Sequence, residues 1–465
     1  MNVDKNLIIV GAGLVGLGLA MGLAKKEPNM TIDLIEEKEN FFDDPGTLIL
    51  QPNALAALRE LDPTVMALLN EEGVSMPNGG VLMKWAELRN TLLTKCRGLE
   101  NIRIKTGHKI CSITEEADFV EVKFSNSDHA LKGTALVGAD GVNSMVRQHL
   151  KLPKARCTEP PIATWKGMCD TSVEATAVMT SLAPLVSNGT VPVFLRLKDS
   201  ILAVINLKSV LLWSVTTQRT INDSASLMEL LPVGSMARGG FLRDNLVEYG
   251  ASSNADLGVV EVTADVRSVL KILFDCSTCV MQHVARVVDF SPTLEECCAG
   301  AQQAESKQDA TTAKHVHGIG RQWELECNWP TRWAGSAKRI TLLGDAAHAF
   351  FSESAMALED AVVLIKHIQR AVEAVETSRA PKRPKGSKGT STSTSNCVNI
   401  NFEEFESERL PRVMRMHSLQ DRRLVEMFTE TGPAAMDKRT EQFMFAEVQK
   451  DAGPAAAAEQ GLKMD

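Results

Sequence analysis

With 465 residues, 44% of them hydrophobic and 23% charged, the chain has the composition of a globular protein with two or three domains and a sizeable core. Its formal net charge of −8 favours solubility and excludes a general nucleic-acid binder, which needs a basic surface. The ten cysteines lack the paired Cys/His spacing of a metal finger, so no metal site is assigned and reduced thiols in a cytoplasmic protein are expected.

Residues 7–10 are a short apolar run bounded by Gly11, which predicts a buried strand. So early a strand leaves no room for a cleavable targeting peptide in this sequence. Residues 14–26 carry helical apolar spacing (Leu14, Leu17, Met21, Ala24) and residues 31–36 form a second strand, giving a β-α-β unit. Helices are predicted over 54–69 and 85–95, then a small β meander over 102–105, 109–113 and 119–124 that closes with 135–138. From 152 to 330 strand-like pieces (192–197, 201–207, 211–217) alternate with irregular polar stretches, as in a mixed sheet of a second domain. The most apolar segment, 201–215, is broken by Lys208 and is too short to span a bilayer. A strand at 339–343 returns the chain to the first domain, and a helix follows over 354–376. The basic, Ser/Thr-rich stretch 378–397 has the composition of a disordered loop, residues 402–428 that of a helix, and the final fifteen residues that of a frayed tail.

Three junctions carry the chemistry. Gly11-Ala-Gly13-Leu-Val-Gly16 follows a strand and opens a helix, the context that a dinucleotide pyrophosphate requires. Gly11 allows the tight turn, Gly13 lets backbone approach the phosphates and Gly16 lets helix pack on strand. Glu36, twenty residues after Gly16, stands where a carboxylate binds the adenosine ribose, and its charge disfavours a 2′-phosphate there. Asp140-Gly141 is a second strand-to-helix turn, and Gly344-Asp345 a third.

In this order the three motifs resemble those of the class A flavoprotein monooxygenases, with Ser144 and Arg147 at the family's spacing after Asp140-Gly141. Residues 46–58, Trp165-Lys166-Gly167, 329–333 and Arg409-Leu-Pro-Arg412-Val413 resemble other segments of that family, and the salicylate-hydroxylase-like and zeaxanthin-epoxidase-like branches are the most similar. The resemblance implies an α/β protein. It would have a Rossmann-like FAD-binding domain of glutathione-reductase type, an inserted mixed β-sheet substrate domain and C-terminal helices. The FAD domain would comprise residues 1–151 and 331–377, the substrate domain 152–330, a disordered insertion 378–400 and the helices 401–465. It further implies FAD, with Asp345 on its ribityl chain, NAD(P)H as a transient reductant, and O₂ added at flavin C4a. The resulting hydroperoxide would hydroxylate or epoxidise a small aromatic or isoprenoid substrate.

The chain departs from the family in three places. Residues 350–354 are shorter than the family's loop beside the flavin and lack its glycines and proline, and residues 61–81 are short for the strands usually found there. A flavin-contacting arginine before the 85–95 helix is replaced by Lys84 or Trp85; Lys84 would serve a phosphate as a point charge without the guanidinium fork. No catalytic residue is assigned. Tyr249 and His315-Val-His317 stand outside any motif, His348 reads as shaping its turn, and Glu359 and Asp360 read as acids at a helix start. The same fold also accommodates an FAD-dependent reductase or dehydrogenase, or a non-catalytic relative.

Overall fold

The structure, a computed structural model, describes residues 5–41, 47–75, 79–152, 155–157, 163–169, 193–197, 200–207, 210–217, 279–284, 323–325, 333–335, 338–348, 354–379 and 400–429. The first part of the chain runs β1 (Asn6–Val10), α1 (Leu14–Lys26), β2 (Thr31–Ile35), β3 (Thr47–Leu50), α2 (Pro52–Leu61), α3 (Val65–Glu72), β4 (Val74–Ser75), β5 (Val81–Lys84) and α4 (Trp85–Arg97). It continues through β6 (Ile102–Lys105), β7 (Ile110–Glu115), β8 (Val120–Phe124), β9 (Ser127–Gly133), β10 (Ala135–Gly138) and α5 (Met145–His149). The strands β11 (Ala155–Cys157), β12 (Ala163–Cys169), β13 (Val193–Leu197), β14 (Ser200–Leu207), β15 (Val210–Thr217), β16 (Cys279–Val284) and β17 (Trp323–Leu325) follow. The described chain ends with β18 (Ile340–Leu342), α6 (Asp345–His348), α7 (Ser354–Arg379) and α8 (Phe402–Thr429).

The site is organised by a five-stranded sheet in the order β18-β10-β1-β2-β6, parallel at every pairing. Every residue of β1 and β10 is buried, as both faces of a parallel sheet require. Helix α1 packs against α7, α2 and α4 and is buried from Leu14 through Ala24, so its apolar spacing wraps all round the helix rather than forming one stripe. A Cβ on Gly22 would lie 2.6 Å from Leu61 Cδ2 and 2.8 Å from Ile365 Cδ1, which shows how close that packing is.

Three expectations are corrected. The single helix expected over 54–69 is two, α2 and α3, broken at Asp62-Pro63-Thr64. Pro63 has no N–H to donate, and Asp62 Oδ1 instead accepts from Thr64 N (3.0 Å) and Thr64 Oγ1 (2.8 Å). Burial alone would raise the Asp62 pKa; Lys25 (2.8 Å), Thr64 and Lys95 (3.1 Å) together hold it well below the usual carboxylate range. The meander consists of β7, β8 and β9, while β6 and β10, expected as part of it, belong to the parallel sheet.

The sheet β13-β14-β15-β12-β16 is antiparallel at each described pairing rather than mixed. Two-residue links at 198–199 and 208–209 join its consecutive strands, and links that short permit only antiparallel neighbours. The expected insertion at 378–400 lies almost wholly outside the described residues, and the C-terminal fifteen lie wholly outside them. No helix among the described residues is long and apolar enough to cross a membrane.

Candidate functional site

Because β18, β10, β1 and β2 are adjacent and parallel, their C-terminal ends open on one edge of the sheet. Each expected motif follows one of those ends: Gly344-Asp345 after β18, Asp140-Gly141 after β10, the glycine loop after β1 and Glu36 after β2. The chain leaves β1 toward β2 on one side, while β10 pairs on the other. A crevice forms at such a switch point, and ligands bind there in open α/β sheets.

The glycines have separate physical roles. Gly11 has φ +101°, and a Cβ there would meet Ala139 O at 2.3 Å. Gly16 lies so close to the loop that its Cβ would stand 2.0 Å from Gly11 O. Among the described residues nothing lies within 4 Å of a Cβ on Gly13, and they leave the space beside it open. It is also the N-cap of α1, which has no side-chain cap and no acid in its first turn. Its leading N–H groups and the positive end of its dipole therefore suit an anion. Glu36 is half-buried beside this loop; Oε2 accepts from Ala12 N (2.9 Å) and Oε1 from Lys38 N (3.0 Å). Each oxygen retains a lone pair that a ribose hydroxyl could use.

At the second turn, Asp140 Oδ2 accepts from Met145 N (2.7 Å) and Val146 N (3.3 Å), so it caps α5 together with Ser144, whose Oγ accepts from Arg147 N (2.9 Å). Asp140 Oδ1 is sealed from solvent with no hydrogen-bond partner among the described residues, although the residue as a whole keeps some exposure. Burial pushes the carboxyl up to about 6, against the pull of Ser144 and the helix N–H groups. Gly141 has φ +76° and open space at its Cβ position. Arg147 was legible only as a spacing match. It lies buried across the sheet's end, donating from Nη1 to Ala346 O (2.9 Å) and Ala347 O (3.1 Å), and so ties the second turn to the third. Burial lowers its pKa to about 10, which leaves it charged.

A carboxyl raised by burial costs stability whenever it is ionised. That cost is absent below the unfolded-state pKa and is fully felt above the folded one. Asp140→Asn is therefore expected to raise the unfolding free energy of the cofactor-free protein at about pH 7.5 by on the order of 1–3 kcal/mol, read as a higher unfolding midpoint, with the gain vanishing toward about pH 4. Equal midpoints for both proteins at the higher pH would contradict the burial described for this carboxyl.

At the third turn, Gly344 has φ +56° and packs on α1 and α7; a Cβ there would lie 3.2 Å from Val15 Cγ1 and 3.1 Å from Ala357 Cβ. Asp345 follows, exposed to solvent at the start of the short helix α6. Asp360 is no helix-start cap, contrary to expectation. It sits in the second turn of α7, fully buried, with Oδ2 2.5 Å from His348 Nε2 and 3.3 Å from Gly344 N. Its Oδ1 accepts from Arg409 Nε at 2.8 Å. Glu359 beside it is partly buried: Arg412 grips it with a two-pronged contact (2.7 and 2.8 Å), Arg409 Nη1 lies at 3.1 Å and Asn53 Nδ2 at 2.5 Å. Burial alone would raise both carboxyls; His348 and Arg409 hold Asp360 below its ordinary value, and Arg412, Arg409 and Asn53 do so for Glu359. The signal was in the helical period, which places Asp360 on the same apolar stripe as Met356 and Leu364.

Lys84 is the N-cap of α4, and its ammonium pairs with Glu87 at 3.2 Å in a partly exposed contact. Trp85 stacks on Arg89, which also lies against Phe41. No group of three metal-ligating side chains occurs among the described residues. Tyr249, His315, His317 and the loop at 350–353 lie outside them.

No family model matches the chain. In sequence it is similar to the FAD-dependent monooxygenase pigN of Monascus ruber, 27% identical over 31% of this chain and 38% of that protein. It is similar also to HspB of Pseudomonas putida, a 6-hydroxy-3-succinoylpyridine 3-monooxygenase, 26% identical over 32% of this chain and 44% of that protein. With 3-hydroxybenzoate 6-hydroxylase 1 of Aquipseudomonas alcaligenes it shares 26% identity over 31% and 42%. The match thus spans about two fifths of the length of these curated relatives. Fold similarity extends much further. CtdE in complex with FAD superposes with a TM-score of 0.61 at 15% identity, covering 97% of this chain and 99% of that one. Klebsiella pneumoniae HpxO, complexed with FAD and uric acid, gives 0.57 at 16% identity over 97% and 95%. Over about a third of its sequence and nearly the whole length of its fold, the chain is similar to FAD-dependent monooxygenases and to FAD-binding proteins of known structure.

Proposed function

We propose that this protein is an FAD-dependent monooxygenase that uses NAD(P)H and O₂ to hydroxylate or epoxidise a small aromatic or isoprenoid substrate in the cytoplasm. The observation that carries this reading is the meeting of three turns and Glu36 at the C-terminal ends of four adjacent parallel strands. When bound, FAD supplies the redox and oxygen-activating chemistry; the chain supplies position, charge and exclusion of water. The first-turn N–H groups of α1 would receive the pyrophosphate beside Gly11, Gly13 and Gly16, and Glu36 would accept the ribose hydroxyls. Asp345, presented by Gly344, would accept from the ribityl chain. Asp140 and Gly141 would line the cofactor between these points, and Lys84 would offer a point charge to a phosphate.

The organisation proposed is a glutathione-reductase-type FAD domain from residues 1–151 and 331–377, interrupted by a substrate domain at 152–330. Its support is that β11 to β17 pair only with one another among the described strands, while β18 rejoins the first sheet. An insertion at 378–400 and C-terminal helices from 401 complete this organisation. The hydroxybenzoate and pyridine in the names of two relatives, and the uric acid held by HpxO, favour an aromatic substrate.

The test is NADPH and NADH oxidation by the FAD-loaded protein across a panel of aromatic acids, heteroaromatics and prenyl chains, with product analysis under labelled O₂. Oxidation stimulated by one compound, with one labelled oxygen in its product, is expected. Reduction of a prenyl double bond without oxygen incorporation would replace this reading with that of a reductase. Asp345→Ala is expected to weaken FAD binding about tenfold, the worth of a hydrogen bond to a charged group. Unchanged affinity would place the ribityl contact elsewhere.

A further inference from the structure

We propose that Asp360 is a positioning residue for the Gly344–Asp345 turn, held in place by Arg409 of the C-terminal helix α8, so that α8 takes part in cofactor binding without touching the cofactor. This rests on the FAD reading above. The turn is closed on itself, with Ala347 N and His348 N both donating to Gly344 O at 2.8 Å. One carboxylate grips both of its ends: Asp360 Oδ2 accepts from Gly344 N at 3.3 Å and lies 2.5 Å from His348 Nε2. An ionised carboxylate only accepts, so the imidazole carries its proton on that nitrogen. Asp345, between the two grips, is thereby aimed outward while Gly344 is pressed onto Val15 in the first turn of α1.

The other oxygen of Asp360 is taken by Arg409, whose Nε and Nη2 each lie 2.8 Å from Oδ1. Arg409 also donates to Glu359 (3.1 Å) and to Met356 O (3.4 Å). Asp360, His348 and Arg409 are all buried, and the Trp333 ring stands 5.5 Å from that of His348. A buried ion pair is weak evidence for stability, because desolvation offsets its attraction. What these charges give here is direction: the guanidinium fixes the carboxylate plane, and the carboxylate fixes the turn.

The experiment compares wild-type protein, Asp360→Asn, and Asp62→Asn as a control. Asp62 is another buried carboxylate held by two cations, Lys25 and Lys95, but it lies in the α2–α3 link, outside the three turns. For each, the unfolding midpoint of the apoprotein, the FAD dissociation constant and the visible circular dichroism of bound flavin are measured. Both variants are expected to lower the midpoint. Only Asp360→Asn is expected to weaken FAD about tenfold or more and to change the flavin spectrum. Should it fail to fold, Arg409→Lys keeps a cation beside Asp360 but removes the fork, and the same weakening and spectral change are expected. Wild-type affinity and spectrum in a folded Asp360→Asn or Arg409→Lys protein would overturn the proposal alone. A wild-type protein that binds no FAD would overturn the FAD reading and this proposal with it.

Discussion

Gly16→Ala is expected to cost roughly 3 kcal/mol or more of folding stability, read as a lower denaturation midpoint, and to leave little folded protein at physiological temperature. The added Cβ would stand 2.0 Å from Gly11 O and 3.2 Å from Gly11 C, both of them backbone atoms. That backbone has nowhere to go. Gly11 N donates to Ile35 O at 2.7 Å, and on its other side any Cβ-sized displacement meets Ala139 O, already 2.3 Å from where Gly11's own Cβ would be. Gly13→Ala, three residues earlier, is the contrasting case. Among the described residues nothing lies within 4 Å of that Cβ, so stability is expected to stay within about 1 kcal/mol of wild type while FAD binding weakens, since the methyl enters the space proposed for the pyrophosphate. A Gly16→Ala protein with a wild-type midpoint would mean that the loop does not pack as described.

Arg409→Met is expected to have an effect of similar size, roughly 3–5 kcal/mol near neutral pH, because it leaves Asp360 and much of Glu359 buried without their shared cation. Its pH dependence identifies the cause. Both carboxyls are held below their ordinary values in the folded protein, so in wild type they contribute stability that is present above the unfolded-state pKa and lost as pH falls. Without Arg409 the stranded charge can be removed by protonation. The deficit of the variant is therefore expected to shrink as pH falls toward about 4, whereas a packing defect would persist unchanged. Chemical unfolding of both proteins at several pH values decides between them.

The first β-α-β unit was legible almost to the residue, because a glycine-bounded apolar run and a long helical period are both local signals. The three turns were legible as motifs, but their convergence was not: it depends on β18 pairing with β10, two segments about two hundred residues apart. The break at Asp62-Pro63 was present in the sequence as a helix-stopping pair, and the continuing apolar spacing across it hid the stop. Asp360 was misread because acids at helix starts are common, and only the turn and α8 packed around it give that carboxylate its partners. Arg147 and Arg412 reach their acceptors across long stretches of chain, which no local pattern encodes.

In the function proposed, the crevice at the ends of β1, β2, β10 and β18 holds FAD. Titration of the purified protein with FAD, followed by the visible absorption of the bound flavin, tests it most directly. A yellow complex at one flavin per chain, weakened by Gly13→Ala and by Asp345→Ala, is expected. A colourless protein that no excess of FAD converts to a complex would contradict it.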